Sequence, residues 1–188
     1  MQGTLPIEPG KYYHIFNQGV SGTNLFADAK NYEYFLHLYN KYINPNFTTF
    51  AWCLMPNHFH LLIRVNDNLQ KPPHQYFSNL FNAYTQAFNK WHKRRGTLFQ
   101  RPFKRRLVAD EKYFRTLVVY IHNNPVHHRF VSDAIEWGWS SYLSYLSNKP
   151  TKLDRATVID WFGGKNNLEY MHQQAIDFEL LKLFGELE

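Results

Sequence analysis

The sequence predicts an α+β fold, a four-stranded antiparallel sheet with helices packed on it. Three observations lead there. Four strand-length runs rich in aromatic and β-branched residues fall at 11–18, 47–54, 59–65 and 98–109. Two stretches of helical periodicity, about 29–43 and 73–95, separate the first strand from the second and the third from the fourth. The second and third strands are divided by only Met55-Pro56-Asn57 and a histidine, too little chain for anything but a tight antiparallel connection. The resulting order β, α, β, β, α, β is the split βαβ arrangement of ferredoxin-like and RRM-like folds, in which one sheet face is expected to stay open for a ligand.

Taken in order, "KYYHIFNQ" alternates as a strand and ends at the turn-prone "GVSGTN". Tyr32, Phe35, Leu36 and Tyr39 recur at helical spacing, and Asn44-Pro45-Asn46 stops that helix. Pro56 cannot donate to a ladder and marks the start of the third strand. Phe77, Leu80, Phe81, Tyr84, Phe88 and Trp91 form the stripe of the second helix, with Gly96 as its stop. Pro102 suggests an edge position or a bulge in the fourth strand. Asp110 reads as the N-cap of a third helix that should end at Asn124, before Pro125. Beyond it come an aromatic loop with a short helix, "DAIEWGWSSYLSYL", and a final amphipathic helix over 166–185. The expected division is a core over 1–148 and a C-terminal helical extension over 149–188.

With 188 residues, 44% hydrophobic and 18% aromatic, the chain can bury one good core but is short for two. No run approaches the 18 or more apolar residues of a membrane span, so no membrane partner is expected. Cys53 is the single cysteine, which excludes an internal disulfide and fits a reducing cytoplasm. The net charge of +6 is unevenly placed: 1–67 is neutral, 68–109 holds nine Lys/Arg and no acid, and 110–188 is net acidic. A block of that kind is the footprint of a polyanion partner, nucleic acid foremost. Lys93, Arg94, Arg95, Arg101, Lys104, Arg105 and Arg106 are the candidate DNA contacts, whereas Phe99 and Phe103 are expected in the core.

Two shorter patterns carry chemistry. In "MPNHFHLLIRV", strand alternation points His58 and His60 to one side, and Phe59, Leu61 and Ile63 to the other, so the two imidazoles can share a metal ion or sit as half-buried backbone partners. On the third helix, Tyr113, Leu117, Tyr120 and Asn124 fall on one stripe, placing Tyr120 one turn from Asn124. His122 lies on a different side and is a poor partner for Tyr120.

"MPNHFHLL", "GTLFQRPFKRRLV", "YIHNNPV" and "WGWSSY" resemble, in order and spacing from about 11 to 146, the HUH single-strand DNA transposases with one tyrosine, most of all the REP-associated tyrosine transposases. The resemblance implies an RRM-like core, Tyr120 as nucleophile, His58 and His60 as metal histidines, and Asn124 as the amide that completes the metal site. It departs at Asn17-Gln18-Gly19, where many relatives read Asn-Arg-Gly, so an arginine contact does not carry over. Two imidazoles and an amide oxygen would suit Mg²⁺ or Mn²⁺ holding a phosphate. The implied partner is single-stranded DNA, at hairpin-associated sites, cut and rejoined through a 5′-phosphotyrosine; the long tail favours a monomer. A non-catalytic single-stranded DNA or RNA-binding RRM-like module is the alternative, and a metallohydrolase using bound water is a third reading.

Overall fold

The computed structural model describes residues 5–174. Its core follows the predicted order: β1 (Tyr12–Gln18), α1 (Ala29–Tyr42), β2 (Phe47–Leu54), β3 (His58–Val65), α2 (Pro73–Trp91), β4 (Lys104–Val108) and α3 (Glu111–His127). The strands form one antiparallel sheet in the order β2-β3-β1-β4, the ferredoxin-like arrangement the sequence predicts. Odd-numbered positions of β1 and β3 face α1 and α2: Tyr13, Ile15, Phe59, Leu61, Ile63 and Val65 pack with Phe35, Phe77, Leu80 and Tyr84. Aromatic rings dominate this layer, with Phe35 against Phe59 and Tyr84, and Phe47 against Phe77 at centroid separations of 5.1–5.4 Å.

The other face is covered in part. Leu117, Val118 and Ile121 of α3 pack with Phe50, Ala51, Cys53 and Leu62, joined by three short helices, α4 (Tyr142–Leu146), α5 (Arg155–Trp161) and α6 (Lys165–Gln173). At the end of this face where β1 finishes and β3 starts, a cleft opens. The chain after α3 also closes the free edge of β2: Leu54 N donates to Trp139 O, Ser141 N to Trp52 O and Asp154 N to Thr49 O. An unpaired edge invites aggregation, and this one is paired by the chain itself. The opposite edge, β4, carries Lys104, Arg105 and Arg106 instead. Among the described residues no helix is long and apolar enough to cross a membrane.

Several boundaries differ from expectation. β4 spans five residues rather than the twelve of 98–109, because 98–103 carries Pro102 and makes only an isolated bridge, Gly19 to Phe99. α2 ends at Trp91: Lys93 adopts φ +49°, and the Arg94 guanidinium is spent on Asn89 Oδ1 and Thr97 O, closing the turn to Gly96. α3 continues through Pro125 to His127, since proline in a last turn sacrifices one donor while His128 N still reaches Asn124 O. α5 was hidden in a stretch with few periodic apolar residues. The final helix expected over 166–185 is shorter: α6 ends at Gln173, where Gln174 turns extended, and 175–185 lies outside the described residues.

Candidate functional site

Strand pairing assembles the site row by row on the partly open face. Cys53, His60, Phe16 and Lys104 stand side by side across all four strands, Gln18 pairs His58, and His14 lies between Leu62 and Arg106. Residues paired across an antiparallel ladder point the same way, so two strands contribute three imidazoles to one patch. α3 crosses above it. The Tyr120 ring meets the His60 ring edge-on at 5.5 Å and the His14 ring at 6.3 Å, and Asn124 Oδ1 lies 2.9 Å from His58 Nε2. The predicted one-turn spacing of Tyr120 and Asn124 thus brings both onto the His58–His60 pair.

Each histidine is oriented by a neighbour. His58 Nδ1 is 2.8 Å from Asn57 Oδ1, and His60 Nδ1 is 2.9 Å from His14 Nε2. A neutral imidazole can donate to only one of the two amide oxygens beside His58, Asn57 Oδ1 and Asn124 Oδ1; the other contact then sets two acceptors together, which a cation between them, protonation of both ring nitrogens or a rotated side-chain amide would relieve. The 2.9 Å from His58 Nε2 to Asn124 Oδ1 is close to the ~3.0 Å separating neighbouring donors of a six-coordinate ion with bonds of about 2.1 Å. The donor chemistry therefore fits a divalent cation held by His58, Asn124 and His60. Among the described residues no three His, Cys, Asp or Glu side chains form a metal-holding group by themselves.

The cleft has a volume of about 620 Å³. His58 and His60 lie in its wall with Phe16 and Lys104, whose ammonium sits 5.8 Å over the Phe16 ring. Five amide side chains also line it, and two of them are structural: Asn17 donates to Gln100 O and accepts from Gln18 N, and Asn57 holds His58. Gln18, Asn24 and Gln100 make no side-chain hydrogen bond among the described residues and face the cleft. Asn24 is delivered by a tight turn at Gly19, where a Cβ would come within 1.9 Å of Thr23 O. His128 and Phe130 form the remaining rim; Arg129, at φ +59°, turns the chain so that Phe130 stands 52% exposed, and the His128 ring lies 4.9 Å from that of His58.

Sequence reasoning missed His14, Gln18, Asn24, Gln100, His128 and Phe130. His14 alternates in phase with Phe16 in the first strand, but only the register of β1 on β3 places it beside His60. The predicted basic residues divide. Lys104 lines the cleft, Arg101 and Arg105 line a second cavity on the helical side of β4, and Lys93, Arg94, Arg95 and Arg106 line neither. Tyr120 is fully buried behind His60 rather than at the cleft surface. His122 points the other way, its Nδ1 2.8 Å from His172 Nε2 and its Nε2 2.7 Å from Ser141 Oγ. Burial and the neighbouring His172 hold His122 well below the ordinary histidine value, and burial lowers His172 to about 4.

Two known proteins are similar to this chain. A curated protein of Haemophilus influenzae, named provisionally as a REP-associated tyrosine transposase, is 32% identical over 104 residues, covering 51% of this chain and 59% of that relative. A solved structure of a REP-associated tyrosine transposase bound to a REP hairpin superposes with a TM-score of 0.63 at 19% identity, covering 80% of this chain and 88% of the other. The chain resembles the REP-associated tyrosine transposases. The solved structure shares the fold, and the chain spans about three-fifths of the length of the curated relative. No family model matches the chain.

Proposed function

We propose that the protein is a transposase that cuts and rejoins single-stranded DNA beside a hairpin, through a 5′-phosphotyrosine at Tyr120. The observation that carries the reading is the convergence of Tyr120 and Asn124, from one helix, on His58 and His60, from one strand, at the wall of a cleft carrying Lys104. The curated relative's name and the hairpin bound to the structural neighbour support the substrate class.

In the proposed reaction the Tyr120 oxygen attacks phosphorus, a P–O bond to tyrosine forms, and the bond to the 3′ oxygen breaks. The phenolic proton leaves and the departing oxygen ends as a 3′-OH. One ester replaces another, so a second 3′-OH can reverse the step without ATP. Mg²⁺ or Mn²⁺ held by His58, His60 and Asn124 would polarise a non-bridging phosphate oxygen. His14 and Asn57 hold the two rings in place, and with His14 Nε2 and Asn57 Oδ1 accepting they would leave Nε2 of each ring to the ion; Lys104 attracts the phosphate, and Phe130 offers a ring to an unpaired base. Since Tyr120 is fully buried, strand entry has to open its side of the cleft before attack.

Tyr120→Phe removes the hydroxyl and little packing, so it should abolish covalent DNA–protein adducts on denaturing gels while single-strand affinity changes by less than about twofold. Chelation by EDTA should suppress adduct formation in the wild type, with Mg²⁺ or Mn²⁺ restoring it. An adduct formed by Tyr120→Phe would move the nucleophile elsewhere, and full activity in chelator would remove the metal.

A further inference from the structure

Alternation along β4 sends its basic residues to opposite faces. Lys104 pairs Phe16 and lines the cleft, whereas Arg105 pairs Ile15 and points to the α2 side. There a second cavity, of about 540 Å³, lies between α2 and the 97–103 segment. The Arg105 guanidinium sits 4.8 Å over the Phe103 ring, and its Nε is buried with no hydrogen-bond partner among the described residues. The segment 68–109 contains no acid, so this cation meets none from its own stretch of chain, and no acidic side chain lines the cavity. A partly desolvated cation without a counter-charge is costly, which makes the cavity a place that gains by taking an anion.

We infer that this second cavity binds a phosphate of the same single strand, with Arg105 as its cation and Asn82 and Thr85 of α2 as neutral partners. The inference rests on the reading of single-stranded DNA as substrate. Gln100 lines both cavities, and its backbone is pinned to β1 by Gln100 N to Gln18 O and by Asn17 Nδ2 to Gln100 O, so it forms a fixed sill between them. A strand leaving the cleft over Gln100 reaches Arg105 next. Arg101, exposed at the rim of the second cavity, adds charge along that path. Phe81, Phe99 and Phe103 are nearly fully buried, so they give the cavity an apolar floor that strengthens the charge contact rather than faces for stacking.

The test uses the full chain and single-stranded oligonucleotides of increasing length, titrated in EDTA over a range of salt. Arg105→Ala should weaken binding of the longer oligonucleotides about tenfold, as loss of one charged contact does, and flatten the log–log salt slope by about 0.7. Oligonucleotides too short to leave the cleft should bind as before. Arg105→Lys should keep most of the slope. Asn82→Trp, at an exposed helix position, fills the cavity without changing charge; it should reproduce the defect and add little to Arg105→Ala. Unchanged salt slope in Arg105→Ala, or equal loss at every length, would overturn the second site while leaving the functional reading intact. Absence of single-strand binding by the wild type would overturn both.

Discussion

The side chain on which the metal argument turns is His58, whose two ring nitrogens both face amide oxygens at 2.8 and 2.9 Å. His60 is also held by a neighbour, its Nδ1 2.9 Å from His14 Nε2. Partners that fix the tautomer of a ligating histidine commonly matter by 10–100-fold in metal affinity. His14→Phe should therefore weaken Mn²⁺ binding by about that factor, read by calorimetric titration of the DNA-free protein, while Tyr120→Phe leaves it unchanged. Equal Mn²⁺ affinity in His14→Phe and wild type would remove the orienting role. At this scale the sequence was readable where spacing alone decides direction: period two aligned His58 with His60, and one helical turn aligned Tyr120 with Asn124. It was silent on His14 and Gln100, because their places depend on how separate segments pair.

Among the elements, α3 has the most demands on it. One side presents Tyr120 and Asn124 to the sheet, and the other is clamped by the C-terminal helices through His122, His172 and Ser141, with Asn123 Nδ2 donating to His172 O. Both histidines must be neutral there. For His172 the folded value of about 4 lies below the ordinary 6.5, so the unfolded chain binds the proton more tightly. Its contribution is complete above pH 6.5 and is lost as pH falls toward 4, by roughly 3 kcal/mol at about 1.4 kcal/mol per pKa unit. The thermal midpoint should drop over that window, and His172→Gln, although destabilised at pH 7, should show a shallower drop. Equal slopes in both proteins would contradict the clamp. The helix existed in the sequence as a clear stripe with an Asp110 cap, but its end was misplaced at Pro125 because the rule against proline applies to helix interiors, and here the last turn tolerates it. The fourth strand was overextended for the converse reason: Leu98, Phe99 and Phe103 look strand-like, yet they are buried as an irregular segment over α2.

For the whole molecule, the order of elements was enough to fix the sheet, since short connections and antiparallel pairing leave few alternatives. Which part of the second face stays open was not legible, because it depends on where α3 and the extension settle. The result is an arrangement with charge on one sheet edge, a cleft walled by two histidines beside it and a buried tyrosine at the back. That arrangement makes a directional claim. If Tyr120 attacks and the 3′ oxygen leaves, the strand downstream of the cut becomes attached to protein and the upstream strand is released with a free 3′-OH. A binding module leaves the strand intact, and a metal-bound water gives two free fragments. The measurement is a cleavage assay with Mg²⁺ on a hairpin-bearing single strand, labelled in parallel upstream and downstream of the cut. We expect only the downstream label to migrate with denatured protein, and only when Tyr120 is present; retention of the upstream label on protein, or two free labelled fragments, would contradict the account.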